Sequence, residues 1–310
     1  MRFVSSLLAL IVLGVASAEA QQTPSILFVG NSFTFGSGSG VRYWRANTVT
    51  DLNNEGIGGV PALFKSFADQ AGLAYDVYLE TRGGSGYEFH LENKRAELSS
   101  RPWNIVVMHG QSLLDLDAPR DTTKFLATSQ QMIDFLRDVS PSAQIYMTAT
   151  WSRADEVYPE DGAWHGEPIG VMAREVRAAY DVVASRNRGL RPISPVGEAW
   201  TRAMETGVAD TNPYDGIDAN KLNLWTFDSY HASSAGYYLE ALVVFGNVTG
   251  IDPRALGRGE CSGHELGLSA PQVEALQQVA FDQLAASGIS TRVLTGREPP
   301  TRAARCAAGN

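Results

Sequence analysis

From Ile26 to Val243, short apolar runs alternate with stretches whose apolar residues recur at helical spacing, and this alternation constrains the chain more than any other feature. Ile26 to Val29, "YDVYL" (75–79), "NIVVM" (104–108) and "AQIYMTA" (143–149) read as strands. Between the first two, Val60, Leu63, Phe64, Phe67, Ala68 and Ala71 repeat at helical spacing, with Gly72 placed as a C-cap. Phe89 to Leu98 predicts a second helix. Phe125, Met132, Ile133 and Leu136 predict a third that ends near Asp138, and Ile169 to Ser185 a fourth. "RPISPV" is short and marked by proline, which confines it to a sheet edge. Ala235, Tyr238, Leu239, Leu242 and Val243 give one more helix. Such alternation predicts a mostly parallel sheet with helices on both faces, a three-layer α/β/α domain. Functional groups in these sheets collect beyond the carboxyl ends of the strands. Ser32, Gly84 and Gln111 each follow a predicted strand, so all three are expected at one crevice.

The two ends of the chain read differently. Arg2, the apolar run Leu7 to Val15, and Ala18-Glu19-Ala20 have the form of a cleaved signal peptide over residues 1–20. A spanning helix needs roughly 20 apolar residues, so the expectation is a secreted or periplasmic protein with no stable membrane insertion after cleavage. Residues 21–250 form the expected main domain. Residues 251–310 read as an appended helix and tail, the helix opening on a Ser-x-x-Gln capping pattern at Ser269 and Gln272. A formal net charge of -9 and the lack of a long Lys/Arg run argue against nucleic acid or an anionic membrane as partner. Cys261 and Cys306 are the two cysteines, and they either bridge to tie down the tail or remain two thiols.

Two stretches carry chemistry. In "ILFVGNSFTFGSG", Ser32 stands directly after a buried strand, in a turn that begins at Gly30, where a hydroxyl is held at the mouth of the sheet. In "WTFDSYHASSAGYY", Asp228 and His231 lie three residues apart before a helix. That spacing lets the carboxylate reach the imidazole, fix its tautomer and stabilise its protonated form. Alone, Ser32 would read as a helix N-cap and Asp228–His231 as part of a surface loop. Together they supply a nucleophile, a base and an orienting acid.

The "GNSFT" and "DSYH" blocks resemble the first and last sequence blocks of the SGNH hydrolases, also called the GDSL esterase/lipase superfamily. The likeness runs from Ser25 to about Gly250 and implies a flavodoxin-like domain and a serine ester hydrolase. Ser32 is then the nucleophile, His231 the base and Asp228 its partner. "TRGGSGYEFHL" is similar to the glycine block of that family, with Gly84 as the oxyanion amide and Gly83 and Gly86 as register alternatives. "VVMHGQS" stands where the family has its asparagine block, but Gln111 replaces the asparagine, and Asn104 is at the wrong end of the strand. The resemblance therefore implies an oxyanion hole made by the Ser32 and Gly84 amides with Gln111. Such chemistry needs no metal and no organic cofactor.

Other motifs are weaker. "GSGSG" (36–40) lacks the Lys-Ser/Thr of a phosphate-binding loop. His90, His109, His165 and His264 have no metal-ligand spacing, and His109 reads as a core histidine beside the crevice. Export and six tryptophans favour O-acetyl groups on carbohydrates over lipid esters as the substrate, a small-molecule or glycan ester in either case. Two other readings share the same domain: a polysaccharide-binding module that does not cleave, and an O-acyltransferase in which a sugar hydroxyl replaces water.

Overall fold

The structure, a computed structural model, describes residues 23–294. The chain runs β1 (Ser25–Gly30), α1 (Ser32–Phe35), β2 (Thr50–Asp51), α2 (Gly59–Gln70), β3 (Asp76–Thr81), α3 (Tyr87–Asn93), α4 (Arg95–Leu98) and β4 (Ile105–Met108). It continues through α5 (Thr123–Val139), β5 (Gln144–Ala149), α6 (Ala154–Val157), α7 (Gly170–Arg186), β6 (Ser194–Pro195), α8 (Val196–Glu205), α9 (Ser234–Thr249), α10 (Cys261–Glu265) and α11 (Ala270–Ala286).

All six strands are parallel, in the order β2-β3-β1-β4-β5-β6. With the two-residue β2 set aside, this is the flavodoxin-like order, whose switch point lies between β1 and β4. The loops after β1, β3 and β4 therefore open together at the carboxyl edge. β1 shows why its sequence is a continuous apolar run. Ile26 and Phe28 enter the core layer that also holds Phe64, Phe67 and Phe245, while Leu27 and Val29 enter the layer that holds Met132, Ile133 and Tyr180. A strand buried on both faces has no solvent side on which to place polar residues.

Two details differ from the sequence reading, and the glycine beyond α2 agrees with it. The helix expected over 89–98 is broken in two at Lys94, whose backbone (φ -128°, ψ 17°) leaves the helical region. α8 has no counterpart in the sequence reading. It starts directly behind Pro195 with no side-chain cap, so no start signal marks it, although Val196, Ala199, Trp200, Ala203 and Met204 give it a buried face. α2 stops at Gln70, and Gly72 takes the left-handed turn beyond it, where Leu73 N–H returns to Ala68 O at 2.8 Å.

Residues 251–294 contribute to the same core. α11 opens on the capping box of Ser269 and Gln272, and buries Val273, Leu276, Ala280 and Leu284 in the layer that holds Ile26 and Phe28. Cys261 is buried and is not a free thiol. Cys306 and the signal peptide expected over 1–20 lie outside the described residues. Among the described residues, no helix is long and apolar enough to cross a membrane.

Candidate active site

β1 delivers the chain to Asn31, which caps α1 by accepting Phe33 N–H at 3.1 Å. α1 is a single turn that begins on Ser32 and ends at Gly36 in the left-handed region (φ 78°). Asn31 is buried and also joins the three carboxyl-edge loops: its Nδ2 donates to Ser85 O at 3.0 Å and to Gly110 O at 3.2 Å. One side chain thus fixes the loops after β3 and β4 against the turn that carries Ser32. Phe33, the next residue, lies in a stack with Trp151 (3.9 Å) and Trp200 (4.6 Å from Trp151) that anchors α1 in the core.

The loop before α9 brings Asp228 and His231 together. Asp228 Oδ2 is 2.6 Å from His231 Nδ1, while Oδ1 accepts the backbone N–H groups of Tyr230 (3.0 Å) and His231 (2.9 Å). Ser229 between them has φ 56°, a left-handed conformation that closes the turn tightly enough for this contact. Burial alone would raise the Asp228 pKa, but the bonds from the His231 side chain and from two backbone amides hold it below the ordinary carboxylate value. The carboxylate accepts Nδ1–H and leaves Nε2 as the basic nitrogen.

Two aromatic rings flank the imidazole, one of them on the residue after Ser32. Phe33 meets the His231 ring edge-on at 5.9 Å, Tyr230 covers it at 4.0 Å, and the Arg153 guanidinium lies 3.6 Å from the Tyr230 ring centre. From α9, the Tyr237 hydroxyl is within reach of Ser32 O (3.2 Å) and Ser37 O (3.1 Å). Ser32 Oγ itself has no hydrogen-bond partner among the described residues.

Gly84 and Gln111 sit at the other side of the crevice. Gly84 has φ 71°, is exposed, and has open space where a Cβ would be, whereas a Cβ at Gly86 would meet Glu88 Oε2 at 2.5 Å. Of the three candidate glycines, Gly84 therefore presents the most open backbone. Gln111 Nε2 donates to Gly84 O at 3.0 Å, and its Oε1 accepts Ser112 N–H at 2.7 Å. An amide nitrogen carries two hydrogens, so Gln111 retains one donor beyond the Gly84 bond. Beside these two residues opens a cavity of about 80 Å³ that Tyr87, Glu88, Asp115, Lys124 and Phe125 also line.

His109 is the buried core histidine its position suggested. Burial pushes its pKa down to about 4, against the bond to Gly110 O, so it is neutral. Nδ1 donates to that carbonyl and Nε2 accepts the Thr34 hydroxyl at 2.6 Å. Most of the tryptophans pack in the core. Trp103, Trp151, Trp164, Trp200 and Trp225 are fully buried, and the Trp44 indole N–H donates to Glu265, so none of the five buried rings can stack on a sugar. The exposed aromatic beside the site is Phe227, 91% exposed and adjacent to Asp228. Asn31 and the buried pair Glu80–His90 belong to the site's scaffold without having been legible in the sequence, since their partners lie on other strands and loops.

No family model matches the chain, and neither does any curated protein. Solved structures do. A DUF4886 family protein from Bacteroides uniformis superimposes with a TM-score of 0.56 at 15% identity, over 88% of this chain and 99% of its own. A GDSL-like lipase, so described, from Parabacteroides merdae superimposes with a TM-score of 0.54 at 16% identity, over 74% of this chain and 97% of its own. The chain shares its three-layer fold with these solved structures. An α/β hydrolase enzyme, LAE5, from the metagenome of Lake Arreo is similar at a TM-score of 0.52 and 12% identity, over 73% of this chain and 95% of its own. In this fold, Ser32, Gly84 and Gln111 follow β1, β3 and β4 at the carboxyl edge of the sheet, and Asp228 and His231 stand on the loop before α9.

Proposed function

We propose that this chain is a serine ester hydrolase of the SGNH/GDSL superfamily, exported by the leader at 1–20, with Ser32 as nucleophile. The observation that carries this reading is the 2.6 Å Asp228–His231 contact, made on a loop packed against the Ser32 turn. Ser32 Oγ attacks the acyl carbonyl and His231 Nε2 takes its proton. The same proton then passes to the leaving alcohol, and water deacylates the enzyme with His231 again as base. Asp228 holds the tautomer and stabilises the imidazolium that forms. The Ser32 and Gly84 amides and the unused Gln111 N–H donate to the oxyanion. Catalytic hydrogen bonds are commonly long in a free enzyme, and the Ser32–His231 bond closes when substrate is bound.

The small cavity beside Gly84 and Gln111, lined by Asp115 and Lys124 as well as Tyr87 and Phe125, supports a short acyl group, with acetyl as the first choice. The test is reaction with a fluorophosphonate followed by peptide mapping, alongside a panel of acetyl to long-chain chromogenic esters. Labelling of Ser32 and faster turnover of the acetyl ester are expected. An unlabelled Ser32 in folded protein refutes the mechanism, and preference for the long chain refutes the acyl assignment.

A further inference from the structure

Directly beneath the Gly84 loop lies a second set of serine, histidine and carboxylate. Glu80, near the end of β3, is 0% exposed and His90, on α3, is 1% exposed. Glu80 Oε2 and His90 Nδ1 are in direct hydrogen-bond contact, and the other carboxylate oxygen accepts Asn53 Nδ2 at 3.2 Å. On its far side, His90 Nε2 is 3.2 Å from Ser85 Oγ.

The atom pairing matches a catalytic triad, but the proton positions do not. Ser85 Oγ is 2.8 Å from Arg82 O, a carbonyl that can only accept, so the hydroxyl proton points there. His90 Nε2 must then donate to Ser85 Oγ and has no free lone pair with which to act as a base. This holds whether the proton shared with Glu80 rests on Nδ1 or on the carboxyl group. The hydroxyl, the imidazole and the carboxylate thus form a chain of bonds with a fixed direction. It runs from the end of β3 to the loop at 82–86, whose carbonyl at Ser85 is held from the opposite side by Asn31.

Stability does not account for a buried polar pair at this place, since apolar side chains of similar volume are often at least as stabilising. We propose that Glu80, His90 and Ser85 are positioning residues that hold the Gly84 amide in its oxyanion-binding orientation. The proposal rests on the esterase reading, in which Gly84 N–H meets the oxyanion. A displacement of that donor by about 1 Å can cost on the order of a hundredfold in rate.

The experiment compares wild type with Ser32→Ala, Ser85→Ala, His90→Leu and His90→Gln for kcat and KM on a chromogenic acetyl ester, together with unfolding midpoints. Expected are a fall of tenfold to a hundredfold in kcat for Ser85→Ala and His90→Leu, with KM within about twofold. His90→Gln, which keeps an N–H toward Ser85, recovers much of the loss, while His90→Leu stays slow even when it is as stable as wild type. A folded His90→Leu enzyme with wild-type kcat overturns the proposal, as does a fluorophosphonate adduct on Ser85, which would require His90 to be a base. Wild-type hydrolysis that Ser32→Ala lacks shows the esterase reading standing independently. Should wild type cleave no ester, amide spectra of ¹⁵N-labelled protein decide the matter: shifted Gly84 and Ser85 signals in His90→Leu support the strut, and unshifted signals refute it.

Discussion

Replacing Gln111 by alanine separates two jobs of one side chain: the backbone bonds that the structure shows and the oxyanion contact that the esterase proposal gives it. Gln111 is 8% exposed and its carboxamide bonds to Ser112 N–H at 2.7 Å and to Gly84 O at 3.0 Å. Truncation strands the Ser112 amide, because Ser112 is only 3% exposed and water cannot replace the lost acceptor. That costs about 1 to 3 kcal/mol of stability. Gly84 is exposed, so its carbonyl finds water and adds little. The second job is the remaining N–H, aimed at the oxyanion, whose removal costs about 2.7 to 4 kcal/mol in the transition state alone. The expected result is a fall in kcat of roughly a hundredfold to a thousandfold with KM little changed, and a lowered unfolding midpoint. Turnover of a chromogenic acetyl ester and denaturant unfolding, on one preparation, measure both. Near-normal kcat with a lowered midpoint would refute the catalytic role and leave the oxyanion to the Ser32 and Gly84 amides.

Other outcomes follow from the same geometry. Ser32→Ala should abolish ester hydrolysis while leaving the unfolding midpoint near wild type, and retained turnover would end the esterase reading. Asp228→Asn should lower kcat by about ten thousandfold in a folded protein, because the amide oxygen can still accept the Tyr230 and His231 N–H groups but its NH₂ selects the wrong imidazole tautomer; a loss below tenfold in the same ester assay would contradict this. Asn31→Ala removes bonds to Phe33 N, Ser85 O and Gly110 O and should destabilise the protein by about 2 to 4 kcal/mol in denaturant titrations. His109 has a folded pKa of about 4 against 6.5 when solvated. Its neutral burial therefore contributes stability that is full above pH 6.5 and is lost as pH falls toward 4, on the order of 3 kcal/mol. Unfolding midpoints across that window should fall in wild type and fall less in His109→Gln; parallel curves would count against it.

Much of the fold was legible because periodicity is a local property. The apolar runs of β1, β3, β4 and β5 and the helical spacing of α2, α5, α7 and α9 mark elements that must be buried, and burial on both faces leaves the parallel three-layer arrangement. α8 escaped because it follows Pro195 with no capping side chain, and the break at Lys94 because nothing in "HLENKRAEL" forbids a continuous helix.

At the site, the sequence alone named the candidate residues: a serine after a buried strand, and Asp228 and His231 at a spacing one turn can close. It also marked Gln111 as the substitute for asparagine. What only the tertiary structure decided is how those residues are held. Asn31 joins loops 54 and 79 positions away, Gln111 bonds to a carbonyl 27 positions away, and Tyr237 reaches Ser32 O across 205. The same is true of His90, an unremarkable helical residue in sequence that becomes the link between Glu80 and Ser85 once β3 and α3 pack. Packing also places five of the six tryptophan rings inside, which leaves no sugar platform among those five. Spacing along the chain records contacts within one turn or one helix face. Contacts between elements depend on the order of strands in the sheet, which short-range patterns do not encode.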